Sequence, residues 1–478
     1  MVSFRDALDR SNFSHSEFNM NHRVGGLRLI LGAVVWFPLF IGGCAHRSTA
    51  GAPSLPTAPA FAVDDSSFII DLERRSFAYF WEQSNPDNGL VADRAPADGS
   101  AKGKVASIAA VGFGLTSICI ADNHGWIDHD AARKRVRITL RYLLESLPHE
   151  HGFFYHFVDM TSGGRIWNCE VSSIDTALLM AGVLTVRNYF RDDLARPGEA
   201  DISKLATQIY ERVDWPWMLN GGKTLAMGWR PENGFTSRRW DDFNEHLILD
   251  LLAMGSPTHP LPQECWRAWK RGPSITYAGR TFLQCPPLFT HQFPHAWIDF
   301  RNRRDQSLNY WKNSVDATLA QRQFCIDLAT RNPGRFGDYG ESLWGITASD
   351  APGGYRGWGG PPTDGVIDPA IDGTVVPCAA AGSLPFTPRE CIACLRNMRV
   401  RFGRKIYGRY GFSDAFNPRT GWVGPDVIGI DVGISLLMAE NSRTGLVWEW
   451  FMRGPEIQRA LDAAGFQPDA LTTSSIRK

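Results

Sequence analysis

The apolar positions of this chain follow two helical patterns. In the segment "DHDAARKRVRITLRYLLESLP", residues 128–148, an apolar stripe is flanked by arginine and lysine, which is typical of a helix with one buried side. Other segments are apolar or small on every side, namely "VASIAAVGFGLTSICIA", "IDTALLMAGVL", "LILDLLAMG" and "GIDVGISLLMA". Helices of this second kind are buried all round, and these are too short to cross a membrane.

The two patterns alternate along the chain. Amphipathic segments fall near 67–83, 130–147, 199–213, 307–330 and 388–402, with the apolar segments between them. This alternation predicts an inner ring of buried helices wrapped by an outer ring, so we expect an all-α fold, an (α/α)6 barrel with long loops. The count is open at residues 343–383, which have room for one inner helix or two.

The N-terminal residues predict targeting. From Met20, "MNHRVGGLRLILGAVVWFPLFIGGC" places arginines before an apolar run that ends in small residues and Cys44, in the order of a bacterial lipoprotein signal. We expect a mis-assigned start over 1–19, a signal peptide over 20–44 with Cys44 lipidated, a tether over 45–65 and a catalytic barrel over 66–478. The prediction is a periplasmic lipoprotein of the cell envelope, anchored in the outer membrane. The alternatives are an uncleaved anchor and a chance apolar run.

Charge and aromatic content narrow the choice of partner. Lys plus Arg and Asp plus Glu each number 50, so no global field attracts nucleic acid, and a neutral molecule is favoured. Many of the 17 Trp stand beside Gly, Pro, Asp or Arg rather than in apolar runs. Flat rings next to hydrogen-bonding groups suit the CH faces and hydroxyls of sugars. For any single Trp, packing at the end of a large fold is an equal alternative.

Metal and cofactor motifs are missing from the sequence. His291 and His295 have an i, i+4 separation, but they lack the glutamate of a zinc protease and flank Pro294. Cys391 and Cys394 lie in a helical pattern without a second pair, so we expect two buried thiols. There is no nucleophile-elbow serine, phosphate loop or dinucleotide fingerprint. We therefore expect no metal and no cofactor.

Acidic residues recur just before the apolar segments: Glu170, Glu245, Glu341, Asp372 and Asp431. If the inner helices run the same way around a barrel, these five acids rim one cavity. Splitting a glycosidic bond needs one protonated carboxyl group as acid and a second carboxylate as base or nucleophile. For each acid taken singly, the alternative is that it caps the helix that follows and takes no part in catalysis.

Two of these segments also fit a capping box. Ser172 and Asp175 have the spacing of an N-cap and its third helical position, which gives Asp175 a structural task and leaves Glu170 free for chemistry. Asp242 and Glu245 fit the same pattern, but they follow a loop rich in arginine and aromatic residues. Capping and catalysis are equally supported for Glu245 by the residues alone.

A series of motifs resembles the glycoamylase-like family, which includes bacterial endo-β-1,2-glucanases and, more distantly, the cyclising domain of cyclic β-1,2-glucan synthases. The motifs run from about Phe68 to Phe466 and include "EVSSIDTALLMAG", "GWRPENGF", "NEHLILDLLAMGSPTHP", "YGESLWGITASD", "DGTVVPCAAAGSLPF", "YGFSDAFN" and "IGIDVGISLLMAEN". The resemblance implies an (α/α)6 barrel that acts on β-1,2-linked glucan without a metal. It also implies that Glu245, in "NEHLILD", is the general acid.

The second carboxylate is left open between Glu170 and Glu341, with Asp175, Asp372 and Asp431 behind them. Cys169, Cys378 and Pro294 depart from the residues expected in their motifs. Candidates for binding the sugar are Asp175, Tyr155, His156, Trp229, Arg230, Arg239, Trp240, His291, His295, Trp297, Trp344, Asp372 and Asp431.

We therefore expect a glycoside hydrolase that cleaves neutral β-glucan, with β-1,2-glucan as the favoured linkage. The alternatives are a glucan-binding lipoprotein without activity and a transglycosylase or hydrolase of another linkage. The sequence does not decide between inversion and retention, or between endo and exo cleavage, because these depend on the distance between carboxyl groups and on the shape of the cleft.

Overall fold

The computed structural model describes residues 65–193, 199–362 and 365–469, which all belong to one compact unit. The expected start, the signal peptide with Cys44 and the tether up to residue 64 lie outside the described residues. Asp65 already begins the first helix. Within the described ranges, no helix combines the length and the apolar character needed to cross a membrane.

The fold of the described residues is mainly helical. Its α-helices are α1 Asp65–Glu82, α2 Ile108–Asn123, α3 His129–Glu145, α4 Ser173–Tyr189, α5 Glu199–Glu211, α6 Leu247–Met254, α7 Gln263–Ala268, α8 Phe293–Trp297, α9 Tyr310–Arg331, α10 Pro333–Phe336, α11 Pro377–Ala381, α12 Pro388–Phe402, α13 Gly429–Arg443, α14 Leu446–Met452 and α15 Pro455–Ala463.

Short strands lie in the loops. They are β1 Arg94–Pro96, β2 Val105–Ser107, β3 His149–Glu150, β4 Phe153–Phe154, β5 Phe157–Asp159, β6 Val171–Ser172, β7 Gly228–Arg230, β8 Gly234–Phe235, β9 Ser274–Tyr277, β10 Arg280–Leu283, β11 Arg303–Arg304, β12 Tyr407–Gly408, β13 Gly411–Phe412, β14 Asp426–Ile428 and β15 Gln467–Pro468. All the pairings are antiparallel, and β6, β7 and β8 form a three-stranded sheet.

An inner ring closes on itself within these ranges. Helix α2 packs against α4, α4 against α6, α6 against α8, and α13 against both α8 and α2. Helix α11 packs against α13, and Gln292, just before α8, donates to the main-chain carbonyl of Ala379 at 2.9 Å. With α1, α3, α5, α9 and α12 outside and α14 and α15 covering the remaining arc, this is the expected (α/α)6 barrel.

Glycine allows the closest approach in the ring, between α2 and α4. A Cβ added at Gly112 would lie 2.2 Å from the main-chain oxygen of Leu178, and one added at Gly182 would lie 2.2 Å from the oxygen of Gly112. These distances are far inside van der Waals contact. The two helices therefore pack backbone to backbone, which explains why their apolar segments are so rich in small residues.

The amphipathic segments become helices close to the expected bounds, as α1, α3, α5, α9 and α12. The inner helices are less regular, since α8 and α11 span five residues each. Each of these two helices has proline in its first turn, and Gly382 follows α11 directly. Each helix is therefore only about one turn long. Residues 343–383 contain one inner helix. Cys391 and Cys394 are buried free thiols, as expected.

Candidate active site

One end of the barrel collects the short strands that lead into the inner helices. Strands β2, β6 and β14 run directly into the N-termini of α2, α4 and α13, and they pair with β5, β7 and β1. Ser107 and Ser172 cap α2 and α4 by accepting from the main-chain NH of the third residue on. Side chains near these N-termini are thus held over the same end of the ring.

Glu245 lies at this end, just before α6. Its side chain is buried, with 7% exposed, and no side chain of the described residues hydrogen-bonds its carboxyl group. Burial, followed by the negative charge of Asp175, raises the pKa of Glu245 to about 8, although the charge of His156 opposes the shift. At neutral pH Glu245 is therefore a protonated carboxylic acid.

His156 lies between the two other carboxylates near Glu245, which are Glu170 and Asp175. Its Nδ1 lies 3.1 Å from Glu170 Oε1, and its Nε2 lies 3.5 Å from Asp175 Oδ1. Burial lowers the pKa of His156, but the charges of Asp175 and Glu170 outweigh burial and raise it to about 9. The imidazole is therefore a cation that stabilises both carboxylates.

Glu170 is an ionised carboxylate between two cations. Besides His156, Arg230 donates from Nη2 to Glu170 Oε2 at 2.9 Å. Burial favours its neutral form, but the hydrogen bond and charge of His156 prevail and lower the pKa of Glu170 to about 2. Asp175 forms the expected capping box, because its NH donates to Ser172 Oγ at 3.2 Å and its Oδ2 accepts from that hydroxyl. Asp175 is thus both a cap and the charge that Glu245 senses.

A second acidic group lies at α13. Asp431 and Asp414 are buried and in contact, and burial, with the other carboxylate's charge for Asp414, raises the pKa of this pair above the ordinary aspartate value. Asp414 Oδ1 and Asp431 Oδ2 are buried without a hydrogen-bond donor. One shared proton gives both oxygens a partner. Cys378, in the first turn of α11, donates from Sγ to Asp431 Oδ1 at 3.4 Å.

Arg94 joins the loops of the two groups. It lies 3.0 Å from Asp350 Oδ1 and 3.2 Å from Asp93 Oδ2, while the NH of Asp350 donates to Asp414 at 2.6 Å. The charge of Asp93 contributes to the raised pKa of His156. A continuous electrostatic path thus runs from His156 to Asp414 along this end of the barrel.

The two acidic groups belong to different sides of the ring. Along the contacts of the inner ring, α8 lies between α6 and α13 on one side, and α4 and α2 lie between them on the other. Asp431 at α13 is therefore on a side of the ring away from α6, while Asp175 at α4 neighbours Glu245. The geometry brings together six residues expected from the sequence, which are Glu245, Glu170, Asp175, His156, Arg230 and Asp431.

Four more expected residues support the rim next to this group. The ring of Trp229 contacts Trp217, at 5.6 Å between centroids, and Trp240 donates to Ser173 Oγ at 3.0 Å. Arg239 donates to the main-chain carbonyls of Leu219 and Thr224. Tyr155 is buried and bridges to Val171 of β6. Trp240 and Arg239 thus have structural partners.

The structure corrects the expectation for Glu341. Its side chain is 83% exposed and lies 3.8 Å from Arg322 of the outer helix α9. No inner helix follows it, because the "ESLWGITA" segment is extended and Gly345 has a φ of 131°. Asp372 is half-buried and accepts from the NH of Thr374 at 2.9 Å. It caps a turn ahead of α11 and is separate from both acidic groups.

Four other expected sugar ligands are corrected because they lie in the core. His291 and His295 are buried, and burial lowers the pKa of each to about 3. His295 bonds Ser314 of the outer helix α9 at 3.0 Å. Trp297 donates to Thr116 at 3.0 Å, and Trp344 is fully buried, with its NH lacking a partner. Their apolar surroundings give these residues a packing role.

Sequence reasoning missed five residues of the site: Asp93, Arg94, Asp350, Tyr355 and Asp414. Asp414 and Asp350 stand inside the motifs "YGFSDAFN" and "YGESLWGITASD", so the signal was present but unassigned. Tyr355 has no such motif. Burial, then the charges of Asp431 and Asp414, raise its pKa, so its hydroxyl group senses the charges of the aspartate pair.

A cavity of about 540 Å³ lies at the C-terminal ends of α8 and α13. Two of its arginines are paired with carboxylates, Arg301 with Asp299 at 2.8 Å and Arg443 with Glu440 at 2.7 Å. The lining of this cavity does not combine a protonated acid with an ionised carboxylate. The candidate active site is therefore the end of the barrel that carries Glu245 and Glu170. Among the described residues, no three acidic, histidine or cysteine side chains are grouped to hold a metal.

Comparisons with known proteins agree with this arrangement. Residues 237–455 match the family model "Glycoamylase: Putative glucoamylase". The chain is 26% identical over 439 residues to the exo beta-1,2-glucooligosaccharide sophorohydrolase (non-reducing end) of Parabacteroides distasonis. The match covers 85% of this chain, which spans 58% of the length of that relative.

Solved structures show the same fold over most of the chain. The endo-beta-1,2-glucanase of Chitinophaga pinensis, in complex with sophorotriose and glucose, has a TM-score of 0.76 at 28% identity and covers 85% of this chain and 99% of its own. The beta-1,2-glucanase of Parabacteroides distasonis has a TM-score of 0.77 at 25% identity and covers 85% and 61%. With the motifs and the (α/α)6 barrel, these matches show that the chain is similar to proteins of the glycoamylase-like family.

Proposed function

We propose that the chain is a glycoside hydrolase that cleaves β-1,2-linked glucan by general acid/base catalysis. The observation that carries the proposal is Glu245, a buried acid whose pKa of about 8 keeps it protonated at neutral pH, among carboxylates that remain ionised. A glycosidase needs these two protonation states side by side. The zero net charge suits a neutral polymer, and the relatives named for β-1,2-glucan supply the linkage.

In this mechanism Glu245 donates its proton to the glycosidic oxygen as the bond to the anomeric carbon breaks. We assign the base to Asp431 on another side of the ring, because a carboxylate away from the acid leaves room for a sugar ring and a water molecule. Water attacks the anomeric carbon, and Asp431 accepts its proton. The configuration at that carbon is then inverted. Asp414 shares a hydrogen bond with Asp431 and orients that base.

Asp175 is less suited to be the base. It is held by Ser172 and His156, and it belongs to the helix next to Glu245 rather than to another side of the ring. Its role is to raise the pKa of the acid. Glu170 is paired with His156 and Arg230. It is the counter-ion that holds these two cations in position.

The test is hydrolysis of purified β-1,2-, β-1,3- and β-1,4-glucans by the wild-type protein, with products separated by size and the first anomer observed by NMR. We expect β-1,2-glucan alone to yield new reducing ends, with inversion. Binding without new reducing ends would identify a glucan-binding protein instead, and longer or cyclic products would identify a transglycosylase. Sophorose released alone indicates exo cleavage, and mixed oligosaccharides indicate endo cleavage.

We also propose that Cys44 is lipidated and anchors the protein in the cell envelope. The charged residues, apolar run and small residues before Cys44 support this. Mass spectrometry of the mature N-terminus tests it, with Cys44→Ser as the control that blocks lipidation. An intact chain that begins before residue 44 and carries no lipid would overturn the proposal.

A further inference from the structure

Trp167 is a large apolar side chain that the fold leaves open to solvent. It is 67% exposed, whereas most tryptophans of the described residues are buried or partly buried. Its indole touches only one aromatic ring, that of Phe157, edge-on at 5.3 Å between centroids. Packing of the barrel therefore does not explain the residue.

The position of Trp167 connects it to the active site. The ring of Phe157 stacks on that of His156 at 3.8 Å, and His156 bonds both Glu170 and Asp175. Glu170 itself is only three residues further along the chain. Two ring contacts thus separate the exposed indole from the imidazole that faces the proposed acid.

The loop that carries Trp167 has an unfavourable backbone conformation. Trp167 and Asn168 have φ values of 54° and 49°, in the left-handed region that non-glycine residues avoid. Two consecutive residues in this region cost on the order of 1–2 kcal/mol each. At Trp167 the surrounding contacts, and not the residue's own preference, therefore fix the backbone conformation.

Those contacts make the loop rigid. Arg165 forms a bidentate pair with Glu232, at 2.6 and 3.1 Å, and donates to the main-chain carbonyl of Cys169. The NH of Ile166 donates to the carbonyl of Phe157 at 3.3 Å. The backbone that carries the indole is therefore held in place before any ligand arrives, which lowers the entropy lost on binding.

We infer that Trp167 is the stacking platform of an outer sugar subsite, where a glucosyl unit of the bound chain places its apolar CH face on the indole. The face of a neutral sugar fits a flat, exposed ring, and Arg165, two residues before Trp167 in the same loop, is held in place by its pair with Glu232. The inference rests on the proposed function, since it names where the polymer continues beyond the cleavage point. Long chains reach this subsite more fully than short ones.

The experiment measures binding by calorimetry and kcat/KM for β-1,2-glucan of at least ten units and for sophorotriose. Binding is measured in an E245Q background, so that the glucan is not degraded. We expect Trp167→Ala to weaken polymer binding roughly 5- to 10-fold, with a smaller loss for sophorotriose, and Trp167→Tyr to keep most of the affinity. The matched control is Val400→Ala, because Val400 is also 67% exposed but lies on α12.

Three results would overturn the inference. If Trp167→Ala binds the polymer like the wild type, the indole is not a subsite. If Trp167→Tyr loses as much as Trp167→Ala, or if both substrates suffer equally, the residue supports the loop and not the sugar. If the wild type neither binds nor cleaves β-1,2-glucan, the proposed function fails first, and this is distinguishable because the wild type is measured alone.

Discussion

The negative charge of Asp175, a residue whose sequence pattern predicts a helix cap, raises the pKa of Glu245. The two residues come from neighbouring inner helices, and both side chains are buried, with 8% and 7% exposed. In such a site a nearby charge is weakly screened. The cap of α4 therefore also controls the protonation of the proposed acid.

Replacing Glu245 by Gln should lower kcat by about 10²- to 10⁴-fold, because the amide has no proton to donate. The wild-type rate should fall as the pH rises through about 8, where Glu245 ionises. Initial rates on β-1,2-glucan between pH 5 and 10 check both statements. Near-normal turnover of E245Q at pH 7, with intact circular dichroism, would contradict the assignment.

Asp175→Asn and His156→Asn should move the alkaline limb of the kcat/KM profile in opposite directions. Asp175 raises the pKa of Glu245 and His156 lowers it, so the limb shifts to lower pH in Asp175→Asn and to higher pH in His156→Asn. Each variant should also lose roughly 10-fold or more in kcat/KM, since it removes a charge partner near Glu245. Shifts of the same sign in both variants would refute this electrostatic account.

Ionising Glu245 should destabilise the folded protein. Its pKa rises from an ordinary value of 4.5 to about 8 on folding, so its stabilising contribution is complete below pH 4.5 and is lost as the pH rises to about 8. E245Q does not titrate. Its advantage in unfolding free energy over the wild type should therefore grow by on the order of 3 kcal/mol between pH 5 and 8, as measured by urea denaturation. An advantage independent of pH would contradict this.

Cys378→Ala should shift the acidic limb of the pH–rate profile to higher pH. The thiol donates to Asp431 and favours its ionised form, so its removal makes the proposed base harder to ionise. Cys378→Ser should restore most of the wild-type profile, because the hydroxyl also donates. A loss of rate at every pH without a shift of the limb would indicate a packing defect instead.

Gly112→Ala should destabilise the barrel by roughly 1–3 kcal/mol or more, because the added methyl group collides with the main chain of α4. Gly340→Ala is the control, since an added Cβ there meets no heavy atom within 4 Å. Thermal unfolding of the two variants compares them. Equal melting temperatures would show that α2 and α4 can move apart without cost.

The alternation of helix patterns predicted the fold because one-sided and all-round burial leave different periodicities in the sequence. The capping box of Ser172 and Asp175 was equally local and is confirmed. Glu341 was misplaced because "ESLWGITA" was predicted to begin a buried helix, whereas the segment is not helical and Gly345 has a φ of 131°.

The partners of the site could not be predicted in this way. Arg94 and Asp350 are 256 residues apart, and no local pattern relates them. Tyr355 lies in a loop of Gly, Pro and Arg whose path depends on the closed barrel. Likewise, His291 and His295 are polar residue types, but burial lowers their pKa and keeps them neutral in the core.

The pairing of β1 with β14 joins residues 94–96 to residues 426–428, near the two ends of the described chain. Contacts of such long sequence separation form late in folding, since their loop entropy must be overcome first. The acidic residues at α13 and the charged residues at α4 are brought together only when β1 pairs with β14. Catalysis should therefore be an all-or-none reporter of ring closure, and a nascent or truncated chain that ends before β14 should be inactive even where its earlier helices have folded.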